Sequence, residues 1–218
     1  MKVEVMKNIL GENDKIAEEN RQLFKEKNVF VINLMGSPGS GKTSLLELTI
    51  ANLKDKLKMA VIEGDLFTAK DAERIERHNV PVIQINTAGG CHLDAAMVKR
   101  AAESLDLNAL DLIIVENVGN LVCPAEFDVG ENIKAVVLSI TEGDDKPLKY
   151  PLIFKESAVA VLNKIDILKF TNFNLESACE DLKTIHPDIT IIETSCTTDE
   201  GLDKWYKFLL TSVNSSLS

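Results

Sequence analysis

The sequence predicts an α/β protein with a mainly parallel, doubly wound sheet and helices on both faces. Short runs rich in Val, Ile and Leu alternate with longer stretches whose apolar residues recur at helical spacing. The chain has 218 residues, of which 45% are hydrophobic, so it can form one large domain with a full core. We expect an N-terminal extension and helix over residues 1–28, followed by the main domain over residues 29–218.

The predicted elements follow one another in a regular βα order. The expected strands are residues 29–35, 59–63, 80–86, 110–116, 135–140, 158–162 and 189–193. The expected helices are residues 14–27, 44–56, 69–78 with Thr68 as N-cap, 93–105, 172–185 and 200–213. We expect residues 212–218 to be frayed.

A glycine-rich segment joins the first predicted strand to the next helix. Its residues, Gly36 to Thr43, fit the pattern G-x-x-x-x-G-K-S/T. Backbone N–H groups of such a loop close around phosphate oxygens, and the helix N-terminus adds partial positive charge. We expect Lys42 to reach the β- and γ-phosphates and Thr43 to bind Mg²⁺. The predicted phosphate-binding residues are Gly36, Ser37, Gly39, Ser40, Gly41, Lys42, Thr43 and Ser44.

A second polar segment, with the pattern N-K-x-D, follows a later core strand. The Asp166 carboxylate can accept hydrogen bonds from guanine N1–H and the 2-amino group, donors that adenine lacks there. The Lys164 stem can lie against the base, and Asn163 can tie this loop to the phosphate loop. The predicted guanine-side residues are Asn163, Lys164 and Asp166, with Ser195 and Cys196 supplying backbone N–H groups to guanine O6. Both segments together predict a GTP-hydrolysing switch.

Two acidic strand ends are expected near the phosphate loop. Asp65 can hold Mg²⁺ through water or orient the attacking water. Glu116 stands where most GTPases carry the Asp of D-x-x-G, and Gly119 keeps the spacing that brings an N–H to the γ-phosphate; a plain polar strand end is the alternative for Glu116. The predicted catalytic residues are Lys42, Asp65, Glu116 and Gly119, and the predicted Mg²⁺ ligands are Thr43, Asp65 and Glu116.

No Arg stands in a convincing position to neutralise phosphate charge during hydrolysis. Lys146 and Lys149 are the candidates for that role, including a role across a dimer. A solvated charged loop explains these two residues equally well.

Soft ligand types stand in two separate segments. Cys91 and His92 follow a Gly-Gly pair, and Cys123 lies four residues beyond Gly119. Thiolate and imidazole suit Zn²⁺, Ni²⁺ or Cu. Neighbouring residues of an extended chain point apart, so Cys91 and His92 share an ion only if the chain turns at the glycines. A water or a second subunit would complete the site; a buried Cys and a capping His are the alternative.

The composition excludes several classes of partner. The formal charge is −10, from 24 Lys+Arg against 34 Asp+Glu, so we expect no nucleic-acid partner. No apolar run approaches the ~20 residues that a membrane span requires, and four scattered cysteines do not make a secreted disulfide framework. We expect no membrane partner and a cytoplasmic location.

Four segments together resemble one known family. They are Val61 to Leu66, Gly90 to Ala95, Glu116 to Pro124 and Glu142 to Pro151. The chain resembles the HypB family of hydrogenase nickel-incorporation GTPases, of the SIMIBI class of P-loop NTPases, from about Val29 to its last helix. The run Glu-Asn-Val-Gly-Asn-Leu-Val-Cys-Pro separates this family from its urease relative, UreG.

The resemblance implies GTP-dependent nickel delivery in NiFe-hydrogenase maturation. It further implies slow intrinsic hydrolysis, a homodimer promoted by GTP, a HypA-like accessory partner and, indirectly, the hydrogenase large-subunit precursor. Nickel or zinc would be held by Cys91, His92 and Cys123 near the dimer interface. Residues 1–10 contain neither Cys nor His, so we expect no tight nickel storage there, unlike in some bacterial members.

Three other functions compete with this interpretation. One is a regulatory GTPase with a structural zinc, and another is a urease-type nickel-insertion GTPase. The third, a small-molecule P-loop kinase, is opposed by the N-K-x-D segment and by the lack of a basic substrate clamp.

Overall fold

A seven-stranded parallel sheet forms the centre of the molecule. The computed structural model describes residues 2–65 and 74–216, with side chains from residue 10 onward except that of Asp65. The strand order is β3-β2-β4-β1-β5-β6-β7, and every pairing is parallel. The strands are β1 (Phe30–Gly36), β2 (Met59–Asp65), β3 (Val82–Asn86), β4 (Leu112–Glu116), β5 (Ile133–Ser139), β6 (Val159–Asn163) and β7 (Thr190–Thr194).

Helices cover both faces of the sheet in the described part of the chain. They are α1 (Lys2–Glu26), α2 (Lys42–Leu53), α3 (Ala95–Ala102), α4 (Cys123–Glu126), α5 (Lys146–Lys149), α6 (Pro151–Lys155), α7 (Leu175–Ile185) and α8 (Leu202–Ser216). Two 3₁₀ segments, Leu107–Ala109 and Ile165–Phe170, join them. None of the described helices is both long and apolar enough to cross a membrane.

The alternation of side chains along β1 divides the core. Phe30, Ile32 and Leu34 pack with α2 and α8 on one face, whereas Val31 packs with α1 and α3 on the other. Buried strands of this kind are apolar on both sides because helices cover both. The predicted doubly wound α/β fold is therefore confirmed, with the P-loop NTPase arrangement of strand, loop and helix at β1 and α2.

Several predicted boundaries are wrong, each for a local reason. The helix predicted from residue 93 begins at Ala95, because the Asp94 carboxylate accepts the Met97 N–H as an N-cap. The helix predicted from residue 172 begins at Leu175, since Asn174 caps the Ser177 N–H. The first helix begins far earlier than residue 14, at Lys2.

The C-terminal segment is also more ordered than predicted. Residues 212–216 continue α8 rather than fraying, because Val213 is fully buried against the sheet and Ser212 Oγ donates to the Phe208 carbonyl. The helix predicted over residues 69–78 is described only from residue 74, where residues 74–76 are helical; Thr68 and its predicted cap lie outside the described residues.

The strand order determines which edge of the sheet carries the candidate site. The chain runs from β1 to one side of the sheet and later returns to β1's other side, so β4 and β5 flank β1. Open α/β sheets bind ligands at such a reversal, beyond the carboxyl ends of the strands. The loops after β1, β4 and β6 meet there.

Candidate nucleotide and metal site

The phosphate loop is held by close backbone contacts. Gly36 and Gly41 have φ of +149° and +100°, and each is packed so closely that a Cβ atom has no room. A Cβ on Gly36 would lie 2.3 Å from the Val137 carbonyl, and one on Gly41 would lie 2.2 Å from Asn163 Nδ2. The loop therefore depends on glycine at both positions.

Two side chains at the start of α2 make hydrogen bonds to the phosphate loop and to the end of β4. The Lys42 ammonium donates to the carbonyls of Gly36 and Ser37, at 3.1 and 3.2 Å. Thr43 Oγ1 donates to Glu116 Oε1 at 2.7 Å. The hydroxyl and carboxylate predicted to hold Mg²⁺ thus converge, and both are oxygen donors of the kind that Mg²⁺ prefers.

The loop after β4 packs directly on the phosphate loop. A Cβ on Gly119 would lie 2.9 Å from both the ring and the backbone nitrogen of Pro38. Asn120 N–H donates to the Gly36 carbonyl at 3.0 Å. The loop after β4 and the phosphate loop are therefore in direct backbone contact at Gly119 and Asn120.

These segments surround a cleft of about 420 Å³, large enough for part of a nucleotide. Its walls come from the phosphate loop, the ends of β2 and β4, and the loop after β6. The lining residues are Pro38, Gly39, Gly41, Lys42, Thr43, Ser44, Glu63, Gly64, Arg74, Glu116, Asn117, Val118, Gly119 and Lys164.

The predicted guanine-side residues adjoin this cleft. Asn163 Nδ2 donates to the Ser40 carbonyl at 3.0 Å, and Lys164 Nζ donates to the Gly39 carbonyl at 2.7 Å. The predicted tie between the two loops is present in the structure. Lys164 has φ of +69°, which turns the chain away from β6 toward the phosphate loop.

A second loop supports the Asp166 carboxylate. Ser195 Oγ donates to Asp166 Oδ1 at 2.6 Å, while Ser195 N–H donates to the Glu200 carbonyl at 2.9 Å. The Ser195 amide is therefore engaged within the protein, which leaves the predicted guanine O6 contact to Cys196 N–H. Burial raises the pKa of the Cys196 thiol to about 11, so this side chain stays a neutral thiol.

Sequence reasoning missed one cationic residue at the cleft. Arg74 lines the cleft wall, where its guanidinium donates to Glu47 Oε2 at 2.5 Å and lies 3.5 Å from Ser44 Oγ. Arg74 follows β2 in a segment without a recognisable motif, so no local pattern identified it in advance. The candidates Lys146 and Lys149 lie instead in α5, a short helix rather than a loop, where Lys149 pairs with Asp145. The prediction for the Asp65 carboxylate falls outside the described residues.

The three soft ligands meet in space. Cys91 Sγ lies 2.9 Å from Cys123 Sγ and 3.5 Å from His92 Nδ1, and one ligand atom from each residue lies within 4.8 Å of the other two. The chain turns at Gly89, where φ is +92°, so neighbouring Cys91 and His92 can face one ion. The ligand types fit nickel or zinc, with a fourth position left for water or another chain.

The protonation of the cluster follows from its geometry. The hydrogen bond with Cys91 is the main cause of the raised pKa of the Cys123 thiol, and burial adds to it. Burial lowers the pKa of His92, whose ring stacks on Phe127 with centroids 3.8 Å apart. The imidazole is therefore neutral at physiological pH and competent to bind metal, whereas the Cys123 proton must be displaced.

Comparisons with known proteins agree with this geometry. The nucleotide-binding domain of the CobW/HypB/UreG family matches residues 30–193. The chain is 48% identical to the hydrogenase maturation factor HypB of Escherichia coli K12 over 209 residues, 96% of this chain and 72% of that protein.

Solved structures extend the likeness to three dimensions. The crystal structure of HypB from Archaeoglobus fulgidus has a TM-score of 0.88 and 37% identity, covering 93% of this chain and 99% of that one. That of HypB from Helicobacter pylori in complex with nickel has a TM-score of 0.89 and 37% identity, covering 95% and 97%. The chain therefore belongs to the HypB hydrogenase maturation factors of the CobW/HypB/UreG family.

Proposed function

We propose that this chain is a GTP-hydrolysing metallochaperone that couples GTP binding and hydrolysis to nickel delivery during NiFe-hydrogenase maturation. One observation carries the proposal. The segment from Glu116 to Cys123 contains a carboxylate bonded to Thr43, a glycine packed on the phosphate loop, and a thiol 2.9 Å from Cys91. A single short segment thus contacts both the nucleotide cleft and the metal cluster.

The residues of the cleft have distinct tasks in this proposal. Lys42 exchanges the loop carbonyls for the β- and γ-phosphates and neutralises their charge. Thr43, Asp65 and Glu116 hold Mg²⁺, which when bound supplies further charge neutralisation at the phosphates. Gly119 offers an N–H to the γ-phosphate. A slow intrinsic rate fits a site in which Arg74 is engaged by Glu47.

Base selection rests on the loops after β6 and β7. Asp166, oriented by Ser195 Oγ, accepts the two guanine donors, and Cys196 N–H faces O6. Adenine would leave a desolvated carboxylate without donors, which costs orders of magnitude in affinity.

Nickel is the cargo of the cluster formed by Cys91, His92 and Cys123. These residues provide three ligands, so we propose that a partner subunit or water completes the site in a homodimer promoted by GTP. A HypA-like accessory protein in the cytoplasm, and through it the hydrogenase large-subunit precursor, would receive the metal.

Metal content after dialysis tests the proposal. The protein is dialysed against equal nickel and zinc with Mg²⁺ and either GDP or a non-hydrolysable GTP analogue, and metal per chain is measured. We expect the nucleotide to change the stoichiometry or the metal bound, with Cys179→Ala, a thiol outside the cluster, behaving as wild type. Identical metal content in both nucleotides would contradict nickel coupling and favour a regulatory GTPase with a structural metal.

A further inference from the structure

Asn120 lies between the phosphate loop and both halves of the metal cluster. It follows Gly119 in the loop after β4 and forms an antiparallel bridge with Gly36, the last residue of β1. It is neither a ligand type for nickel nor within the predicted nucleotide-binding set. Its contacts nevertheless reach both sites.

The side-chain amide of Asn120 spans the two metal-ligand loops. Its Nδ2 donates to the Cys91 carbonyl at 3.3 Å, and its Oδ1 accepts the Val122 N–H at 2.8 Å. Val122 directly precedes Cys123, so one amide group restrains the backbone at or beside both thiol ligands.

The backbone of Asn120 is bound to the phosphate loop through a shared acceptor. The Gly36 carbonyl accepts both Asn120 N–H at 3.0 Å and Lys42 Nζ at 3.1 Å. A carbonyl oxygen has two lone pairs, and these two donors can occupy both. When Lys42 turns to the phosphates of a bound nucleotide, this carbonyl loses its ammonium donor and keeps the Asn120 N–H.

Residues that line the nucleotide cleft also contact the loop that carries Cys91 and His92. Leu93, the residue after His92, donates its backbone N–H to Asn117 Oδ1 at 3.0 Å. Its side chain packs on Gly64 so closely that a Cβ there would lie 2.7 Å from Leu93 Cγ. Asn117 and Gly64 both line the nucleotide cleft. These contacts anchor the loop after His92, whereas Asn120 contacts the backbone of Cys91 and of Val122 beside Cys123.

We propose that Asn120 is a positioning residue that links nucleotide occupancy to the geometry of the metal ligands. When the Gly36 carbonyl shifts, the hydrogen-bonded backbone N–H of Asn120 shifts with it. The side-chain amide of Asn120 then displaces the backbone of Cys91 and of Val122, which precedes Cys123. This role rests on the proposed function, because Asn120 would transmit the proposed coupling between the nucleotide cleft and the metal cluster.

The test compares wild type, Asn120→Ala, Asn120→Asp and the control Asn52→Ala. Asn52 also makes two hydrogen bonds, to the Leu48 carbonyl and the Tyr206 hydroxyl, but away from the site. Nickel affinity is measured by competition with a chromophoric chelator in nucleotide-free protein, with Mg·GDP and with a non-hydrolysable GTP analogue. Analogue affinity and the thiolate-to-nickel absorption band are recorded in parallel.

We expect Asn120→Ala to weaken nickel binding about tenfold or more, as loss of an outer hydrogen bond to a metal site commonly does. Its affinities should become nearly equal in all three nucleotide states, its absorption band should shift, and its analogue affinity should stay unchanged because the backbone N–H remains. Asn120→Asp keeps the acceptor for Val122 N–H but loses the donor to Cys91, so it should be intermediate. That variant carries the test if the alanine variant does not fold.

Two results would overturn the inference alone while leaving the proposed function in place. One is wild-type nickel affinity and nucleotide response in both Asn120 variants. The other is weakening by the same factor in every nucleotide state, which would indicate a structural role only. A wild-type nickel affinity that ignores the nucleotide would instead overturn the proposed function, and this inference with it.

Discussion

The nucleotide cleft and the metal cluster adjoin each other but are stabilised differently. The cleft is built on buried strand ends, with Ser40, Asn117 and Asn163 at most 1% exposed. The ligands of the cluster lie in the loop before α3 and at the first residue of α4, and Cys91 is exposed. The cleft is therefore preorganised by packing, whereas the cluster depends on a few hydrogen bonds from the cleft's own loops. A change at the phosphates can thus alter the cluster at low energetic cost, and by linkage nickel binding must change the nucleotide affinity by the same factor.

The largest expected effect is a change in nucleotide preference when the base-binding part of the cleft is altered. Asp166→Asn should change the preference for GTP over xanthosine triphosphate by about 10⁴-fold, because an amide donor then faces the xanthine carbonyl. Competition binding of the two nucleotides measures this ratio, with the exposed Asp188→Asn as a control. An unchanged preference would remove Asp166 from the base site.

Phosphate neutralisation should show the next largest effect. Lys42→Ala should lower GTP turnover by about 10³-fold, because a buried ammonium beside the phosphates is lost. Phosphate release under saturating GTP measures it. Lys54→Ala, a change of the exposed C-cap residue that follows the same helix, should leave turnover unaltered. Turnover retained in Lys42→Ala would refute the assignment of the phosphate loop.

Loss of one thiol should weaken nickel binding at the metal cluster without weakening nucleotide binding in the cleft. Cys123→Ala should weaken nickel binding about 100-fold, more than most changes around a ligand shell, and blunt its response to the GTP analogue. GTP affinity should stay close to wild type, since the cleft does not depend on the thiol. Isothermal titration with nickel, then with nucleotide, separates the two effects. Unaltered nickel affinity would place the metal elsewhere.

A smaller effect is the pH dependence of nickel affinity, which follows from protonation of the Cys123 thiol. The raised pKa of Cys123 keeps this thiol protonated at neutral pH, so nickel must displace its proton and the affinity should rise as pH rises. The slope should be about tenfold per pH unit for this proton. His92, with its lowered pKa, should add no further dependence above pH about 6.5. Nickel titrations between pH 6.5 and 8.5 test this, and a flat profile would contradict proton displacement.

The same contrast explains what the sequence could predict. The position of the phosphate loop after β1 could be predicted because its chemistry requires fixed residue types at fixed spacing after a strand. The base contact of Asp166, argued in the same way, stays a prediction. A tie from Asn163 to the phosphate loop was predicted, and the structure shows it as a hydrogen bond to the Ser40 carbonyl. The meeting of Cys91, His92 and Cys123 was left open by spacing, since the two segments are 31 residues apart in the chain and only tertiary structure brings them together.

Other features depended on contacts that no local pattern encodes. Arg74 reaches the cleft from a segment without a motif, and Asn120 acts through both its backbone and its side chain. The order of residues 212–216 arises from burial of Val213 beneath the sheet, which outweighs a serine-rich composition. Such features are set by packing, so they became visible only in the fold.

Nickel release during a single turnover is the most direct measure of coupling between the nucleotide cleft and the metal cluster. Protein loaded with nickel is mixed with Mg·GTP or a non-hydrolysable analogue in the presence of a chromophoric chelator, and phosphate and nickel are followed together. We expect the rate of nickel transfer to differ between the two nucleotides and to change in step with phosphate release. Equal transfer rates with GTP, with the analogue and without nucleotide would contradict the coupling of the cleft to the metal cluster.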